Sequence, residues 1–205
     1  MTMRPWKALI CLFGLIWASP TRALEVSTWG GLIYAAPSES IQGVDQGWTG
    51  SAGHAFGINA LLPLWESPFS LESGVSLLRE ASERSVSGVS NIRKTEWIQV
   101  PLLLHYHFDG SMSLGAGGYA GFAQGMVSNV DSTSTLNQPY DTAQIQTFDL
   151  GLLIDLRARF RLSESFSLIL DARYQHGFQD LSTITTKTLF ARSIHMLGGF
   201  SYRFD

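Results

Sequence analysis

Ionisable side chains recur at every second position in several segments, and that spacing is where any chemistry has to be sought. Asp149, Asp155, Arg157, Arg159 and Arg161 share one parity between residues 147 and 162. Asp171 and Arg173 do the same alongside Ser167 and Gln175, while Glu72 and Arg203 take the equivalent place in two further segments. Acids and guanidinium groups gathered on one face suit either a charged pore or binding channel, or an interior network of mutual ion pairs. His105 and His107 stand two apart and would offer two metal ligands, but spacing supplies no third, so polar packing is favoured and no metal is expected. Ser193 and His195 also share a face, but a hydrolytic triad needs a third group. Gly115-Ala116-Gly117-Gly118-Tyr119-Ala120 formally fits a dinucleotide fingerprint, which requires a helix after it to meet phosphate. Here Gly115, Gly117 and Gly121 fall on one side of a strand, where glycine leaves interior space. No catalytic residue and no cofactor are expected.

These residues must be positioned by strands. Between Trp97 and Phe108 the even positions read Ile98, Val100, Leu102, Leu104, Tyr106, Phe108, whereas the odd ones mix Gln99, Pro101, His105 and His107 with apolar residues. From residue 148 to 162 the even positions are Phe148, Leu150, Leu152, Ile154, Leu156, Ala158, Phe160 and Leu162. Residues 166–178 and 192–204 repeat the pattern. A period of two held this long marks strands with two unlike faces and rules out helix. Residues 69–79, 51–64 and 112–126 fit less cleanly, and the faces of 24–34 stay unassigned. That makes about eight strands. Short turn signals at Glu66-Ser67-Pro68, Asp109-Gly110-Ser111 and Ser163-Glu164-Ser165 alternate with longer polar stretches at 36–47, 82–93, 127–144 and 179–190. Alternating short and long connections describe an up-and-down antiparallel meander.

The start of the chain has a different character. Arg4 and Lys7 precede an apolar run, Ala8 to Ala18, that is too short for a spanning helix of about 20 residues. Thr21-Arg22-Ala23 follows, and no acid occurs before Glu25. Residues 1–23 therefore read as a cleavable secretory signal and residues 24–205 as one β-barrel domain. Three of the fourteen basic residues leave with this signal while all seventeen acids stay, so the mature chain is acidic and carries no footprint for nucleic acid. The single cysteine, Cys11, leaves too, which excludes disulfides, thiolate metal sites and a cysteine nucleophile.

An eight-stranded barrel has room inside only for its own side chains. Turned inward, the Leu, Ile and Phe faces would overfill it and send rows of Asp and Arg outward. Turned outward, those faces need hydrocarbon around them, since in water they would form a very large apolar patch. Aromatic residues concentrate at the strand ends, as the two girdles of a membrane barrel require. The inward set is then Glu72, Asp149, Asp155, Arg157, Arg159, Arg161, Asp171, Arg173 and Arg203.

The stretch 96–122, EWIQVPLLLHYHFDGSMSLGAGGYAGF, resembles the outer-membrane β-barrel family that includes PorT-like proteins, with an apolar strand containing proline, a short turn and a glycine-rich strand with tyrosine. FDLGLLIDLRARF, ILDARYQHGF and LESGVSLLRE are similar to further strands of that family. Gly199, Tyr202 and Phe204 resemble the terminal strand read by the outer-membrane insertion machinery, with Asp205 one residue beyond. The resemblance implies an outer-membrane β-barrel, both termini periplasmic, with outer-membrane lipid and the insertion machinery as partners. It implies no catalytic residues; around His176 the sequence reads His-Gly-Phe, without the serine of a membrane-barrel deacylase. The expected role is structural or surface-interacting, with extracellular loops open to an unknown ligand and a lumen plugged by charge. A narrow porin-like channel is the alternative, and a membrane-embedded hydrolase a third.

Overall fold

The computed structural model describes residues 24–64, 67–86, 89–130, 138–139 and 146–204; the signal assigned to residues 1–23 lies outside them. Among the described residues there is no helix. Twelve strands run in the order β1 (Leu24–Ala35), β2 (Ser38–Ile41), β3 (Val44–Asp45), β4 (Thr49–Pro63), β5 (Phe69–Val86), β6 (Val89–His107), β7 (Met112–Val130), β8 (Gln138–Pro139), β9 (Phe148–Arg161), β10 (Phe166–Gly177), β11 (Lys187–Phe190) and β12 (Arg192–Phe204). Eight of them pair antiparallel in the sequence β6-β5-β4-β1-β12-β10-β9-β7, and β6 also pairs with β7, which closes the sheet into a barrel. Closure leaves no edge along the wall, so the strand backbones find their partners within the wall.

The two faces separate by parity. Leu102, Leu170 and Met196 are 51%, 48% and 62% exposed on the outer face, whereas their neighbours Leu103, Ile169 and Leu197 are almost fully buried inside. In β1, whose faces the sequence leaves open, Glu25, Ser27, Trp29 and Ile33 point in while Thr28, Leu32 and Tyr34 point out. Outward aromatic residues gather near the short turns, with ring centroids 5.3 Å apart for Phe69–Tyr106, 5.3 Å for Tyr106–Phe108 and 4.8 Å for Tyr202–Phe204. Phe122–Phe148 and His176–Phe178 form similar contacts near the other end.

The short turns are held by their own polar side chains. The Asp109 carboxylate accepts the N–H groups of Ser111 and Met112 at 2.6 and 2.8 Å, and these bonds hold its pKa below the usual value. Ser163 Oγ accepts the N–H of Phe166 at 3.1 Å. This end, with both strand termini Leu24 and Phe204, is the periplasmic one by the usual rule of short turns.

The outer end departs from the sequence reading in two places. Residues 82–93 do not form a loop: β5 and β6 continue as a ladder as far as Val86 and Val89, through pairs such as Glu83–Ile92. At 18 and 19 residues these strands exceed the roughly 9–11 residues that span a bilayer, so the hairpin stands above it. Its polar side chains hid the strand, because backbone pairing with a neighbour needs no apolar face. Second, the stretches 36–47 and 179–190 meet as a three-stranded sheet, β11-β2-β3. Its β2–β3 hairpin turns through Gln42 and Gly43, both at positive φ (50° and 81°), a turn that favours glycine at its second position. Phe190, an aromatic residue at the outer end, belongs to this small sheet.

Ile154 faces outward near the middle of β9 and is 41% exposed. Ile154→Arg is expected to cost about 2–4 kcal/mol of folding free energy in lipid vesicles. Thr147→Arg, at the exposed outer rim, should cost within about 0.5 kcal/mol. Urea titrations of the two variants test this; equal costs would reverse the face assignment of β9.

Candidate functional site

The inward face of the periplasmic half holds a dense ionic cluster. Strands β9 and β10 are registered so that Arg157 lies opposite Asp171, and Asp155 opposite Arg173. Arg157 donates through Nε and Nη2 to the two Asp171 carboxylate oxygens at 2.8 and 2.9 Å, a two-pronged bond. Arg173 Nη2 donates to Asp155 Oδ2 at 3.0 Å. Both guanidinium groups also reach Glu72 on β5: Arg157 Nη2 lies 2.7 Å from Glu72 Oε2, and Arg173 Nη2 lies 3.1 Å from Oε1. Asn59 on β4 donates to Glu72 Oε1 at 2.7 Å. All of these side chains are buried. Charges taken this far from water persist only when paired and hydrogen-bonded.

His105 stands between two of the acids, its Nε2 3.2 Å from Glu72 Oε2 and its Nδ1 3.6 Å from Asp155 Oδ1. Glu72, His105 and Asp155 bring ligand atoms within 4.8 Å of one another, as a metal site would. The two carboxylates already carry guanidinium groups, however, so a cation there would have to displace Arg157 and Arg173. The cluster is built as ion pairs. The glycine motif in β7 serves it: a Cβ on Gly115 would stand 2.7 Å from the His105 ring and 2.9 Å from Asp155 Oδ1. Gly115 is therefore the space in which imidazole and carboxylate meet.

The other charged residues read from the sequence are placed differently. Arg159 pairs with Glu25 at 2.9 Å, and Arg203 approaches the same carboxylate at 4.0 Å, both at the periplasmic mouth. Arg161 is exposed at that mouth and makes no ion pair among the described residues. Asp149 is buried but lies apart from the cluster, accepting the Tyr119 hydroxyl at 2.6 Å. Gln99 donates to Gln175 at 2.9 Å between them. His107 contacts Ser70 at 2.7 Å, and Ser193 contacts His195 at 2.8 Å.

Sequence reasoning did not anticipate what fills the outer half. Trp29, Ile33, Ala55, Leu78, Trp97 and Leu197 form an apolar core inside the barrel, Ile169 joins it from nearer the periplasmic end of β10, and Leu181, Leu189 and Ala191 of the last outer connection pack onto it. The wall residues among them sit at inward positions of strands that also carry inward polar residues, so parity alone hides them. Above this core Glu39 of β2 is buried and takes Arg93 at 2.7 Å and Lys187 at 3.2 Å. The Arg93 guanidinium also stacks 4.2 Å from the Trp48 ring, within cation–π range. Glu39, Arg93 and Trp48 thus tie the small sheet to the barrel.

A family model described as outer membrane protein beta-barrel domain matches residues 18–183. The chain belongs to this family. It is an outer-membrane β-barrel protein of a Gram-negative envelope. No curated protein sequence matches the chain. Among solved structures it is similar to a major outer membrane protein from Thermus thermophilus, with 15% identity and a TM-score of 0.51, covering 89% of this chain and 100% of that one. This likeness concerns the fold. Neisserial surface protein A matches at 11% identity and a TM-score of 0.46, covering 90% and 100%. Ail of Yersinia pestis, in complex with the heparin analogue sucrose octasulfate, matches at 16% and 0.43, covering 90% and 100%.

Two measurements test the ionic contacts. Glu72→Ala or Asp171→Ala removes one of the carboxylates that the buried guanidinium groups share and should lower stability by about 1–3 kcal/mol in urea unfolding. Glu164→Ala in an exposed turn should stay within about 0.5 kcal/mol. The second concerns Glu39, where burial opposes ionisation but Arg93 and Lys187 outweigh it and hold the carboxyl below its ordinary 4.5. A depressed carboxylate contributes stability in full above the unfolded value and loses it as pH falls through the lower folded value. Amide exchange in β2 and β11 should accordingly accelerate below pH 4.5 in the wild type, and much less so in Glu39→Gln.

Proposed function

We propose that this outer-membrane barrel has a structural and surface-interaction role, with a lumen that does not conduct and an outer sheet that presents the contact surface. The observation that carries this reading is the burial of Glu72, Asp155, Arg157, Asp171 and Arg173, each at most 3% exposed, inside the wall. An eight-stranded wall encloses only enough space for such side chains, and the apolar core adds a second layer above them. Between that core and the small sheet lies a cavity of about 30 Å³. The small sheet turns Ile41 and Val44 outward, 38% and 65% exposed, and the bend before β11 adds Ile184 at 37%, on a rim otherwise rich in Ser, Thr and Asp. Exposed apolar side chains on an ordered sheet suit contact with an extracellular ligand or surface.

The reading assigns no catalytic step. Ser193 and His195 are buried inside the wall, and Glu80 lies against the serine rather than against the free imidazole nitrogen, so no proton relay is formed. In planar bilayers the wild-type protein is expected to insert without steady conductance. Long-lived open events of uniform size would replace this reading with that of a narrow solute channel.

A further inference from the structure

The periplasmic mouth opens into a cavity of about 340 Å³. Three guanidinium groups line it: Arg159 and Arg161 at the end of β9, and Arg203 near the end of β12. Two carboxylates share the lining, and neither balances the arginines. Asp109 is engaged by the N–H groups of its own turn. Among the described residues Glu25 is the one acid turned to the cations, and it serves both Arg159 at 2.9 Å and Arg203 at 4.0 Å. Arg161 has no acid within ion-pair distance among the described residues, and the Arg159 Nε–H is buried without an acceptor. Ser70 and His107, hydrogen-bonded to each other, add neutral polar groups to the same wall.

We propose that this periplasmic mouth is a binding site for a phosphate-type oxyanion, carried on a small periplasmic solute or on a lipid headgroup. A dianion with several oxygens matches converging guanidinium forks, each of which offers paired donors. A single carboxylate would only duplicate Glu25. The site is distinct from the ionic cluster above it, where acids outnumber guanidinium groups and no cation is left over. It is also independent of whether the lumen conducts, because the ligand enters and leaves at one end. The solute source is favoured by the geometry, since the arginines line the inside of the mouth whereas the lipid-facing side of the same strand ends carries Phe160, Tyr202 and Phe204.

Titration of the folded, full-length barrel with inorganic phosphate, in lipid-free glucoside micelles, tests the site through the arginine Nε–H resonances. Saturable shifts are expected at Arg159, Arg161 and Arg203. Arg161→Ala should weaken the binding by up to about fivefold, the effect of losing one exposed charge contact. Glu25→Gln, which removes the competing acid, should tighten it; a merely structural role for these residues would not give that sign. Arg79→Gln, an exposed arginine in the outer half of β5, should leave it unchanged. Heat-modifiable migration of each variant on gels confirms that the barrel has folded. A response absent from micelles but produced at the same arginines by phosphatidylglycerol in nanodiscs would keep the site and assign the headgroup as its source. No response in either setting, or one indifferent to Arg161→Ala and Glu25→Gln, would overturn the proposal.

Discussion

Everything in this molecule follows from the requirement that a backbone inside hydrocarbon hydrogen-bond to itself. A sheet meets that requirement only by closing, and the β6–β7 ladder is the seam that does so. Closure with eight strands fixes the diameter, and the diameter fixes how much can be put inside. The outer face is then free to be uniformly apolar, while the inner face has to be filled by residues that fit one another. The positions of glycine show how tight this is. A Cβ on Gly117 would stand 2.0 Å from the Leu102 carbonyl oxygen, so the wall there curves to a degree that only glycine allows.

The interior solves its packing problem in two ways. Towards the periplasm it uses charge, with the three carboxylates of Glu72, Asp155 and Asp171 interleaved with two guanidinium groups and an imidazole. Towards the outside it uses apolar bulk, with the Trp29 and Trp97 rings and the Leu181 and Leu189 side chains brought in by an extracellular connection. The two halves meet where the Arg173 guanidinium lies 5.6 Å from the Trp29 ring, a position that suits both the cation and the aromatic face. The small outer sheet is thus part of the interior packing and also part of the surface, because β11 and the residues before it send leucines inward and polar groups outward.

How much of this was legible depended on which physical signal each element left in the sequence. Four wall strands announced themselves clearly through an outward face that lipid forces to be apolar, with Ile154, Leu156 and Phe160 as examples, while the Gly- and Ala-rich strands and β1 left a weaker mark. Glu72, Asp155, Arg157, Asp171 and Arg173 were legible as inward residues because a charge at the opposite parity would face hydrocarbon. Their partners were not, since which acid meets which arginine depends on strand register. Arg161 has the same parity as Arg157 yet ends up in the open mouth, because position along the strand decides burial and parity does not record it. The hairpin of β5 and β6 above the membrane, and the sheet of β2, β3 and β11, left no periodic signal. Outside the bilayer neither face is compelled to be apolar, and backbone pairing alone can hold such strands.

The ionic cluster also bears on which register the wall adopts. A buried ion pair is a weak source of net stability, because desolvation offsets much of the attraction. Its arrangement here nonetheless discriminates between alternatives. Strand β9 carries Asp155 and Arg157 two apart, and β10 carries Asp171 and Arg173 two apart in the same order. Antiparallel pairing in the native register sets each acid opposite an arginine. A slip of one residue would turn the charges of the slipped strand into lipid. A slip of two in one direction would set Arg157 opposite Arg173, and in the other would set Asp155 opposite Asp171, with like charges facing each other in a medium that screens them poorly. Glu72, reaching from β5, receives both guanidinium groups only when the β9–β10 pair is correctly aligned. The same four inward-facing residues therefore penalise the nearest misregistered barrels, a service that apolar residues of equal volume could not perform.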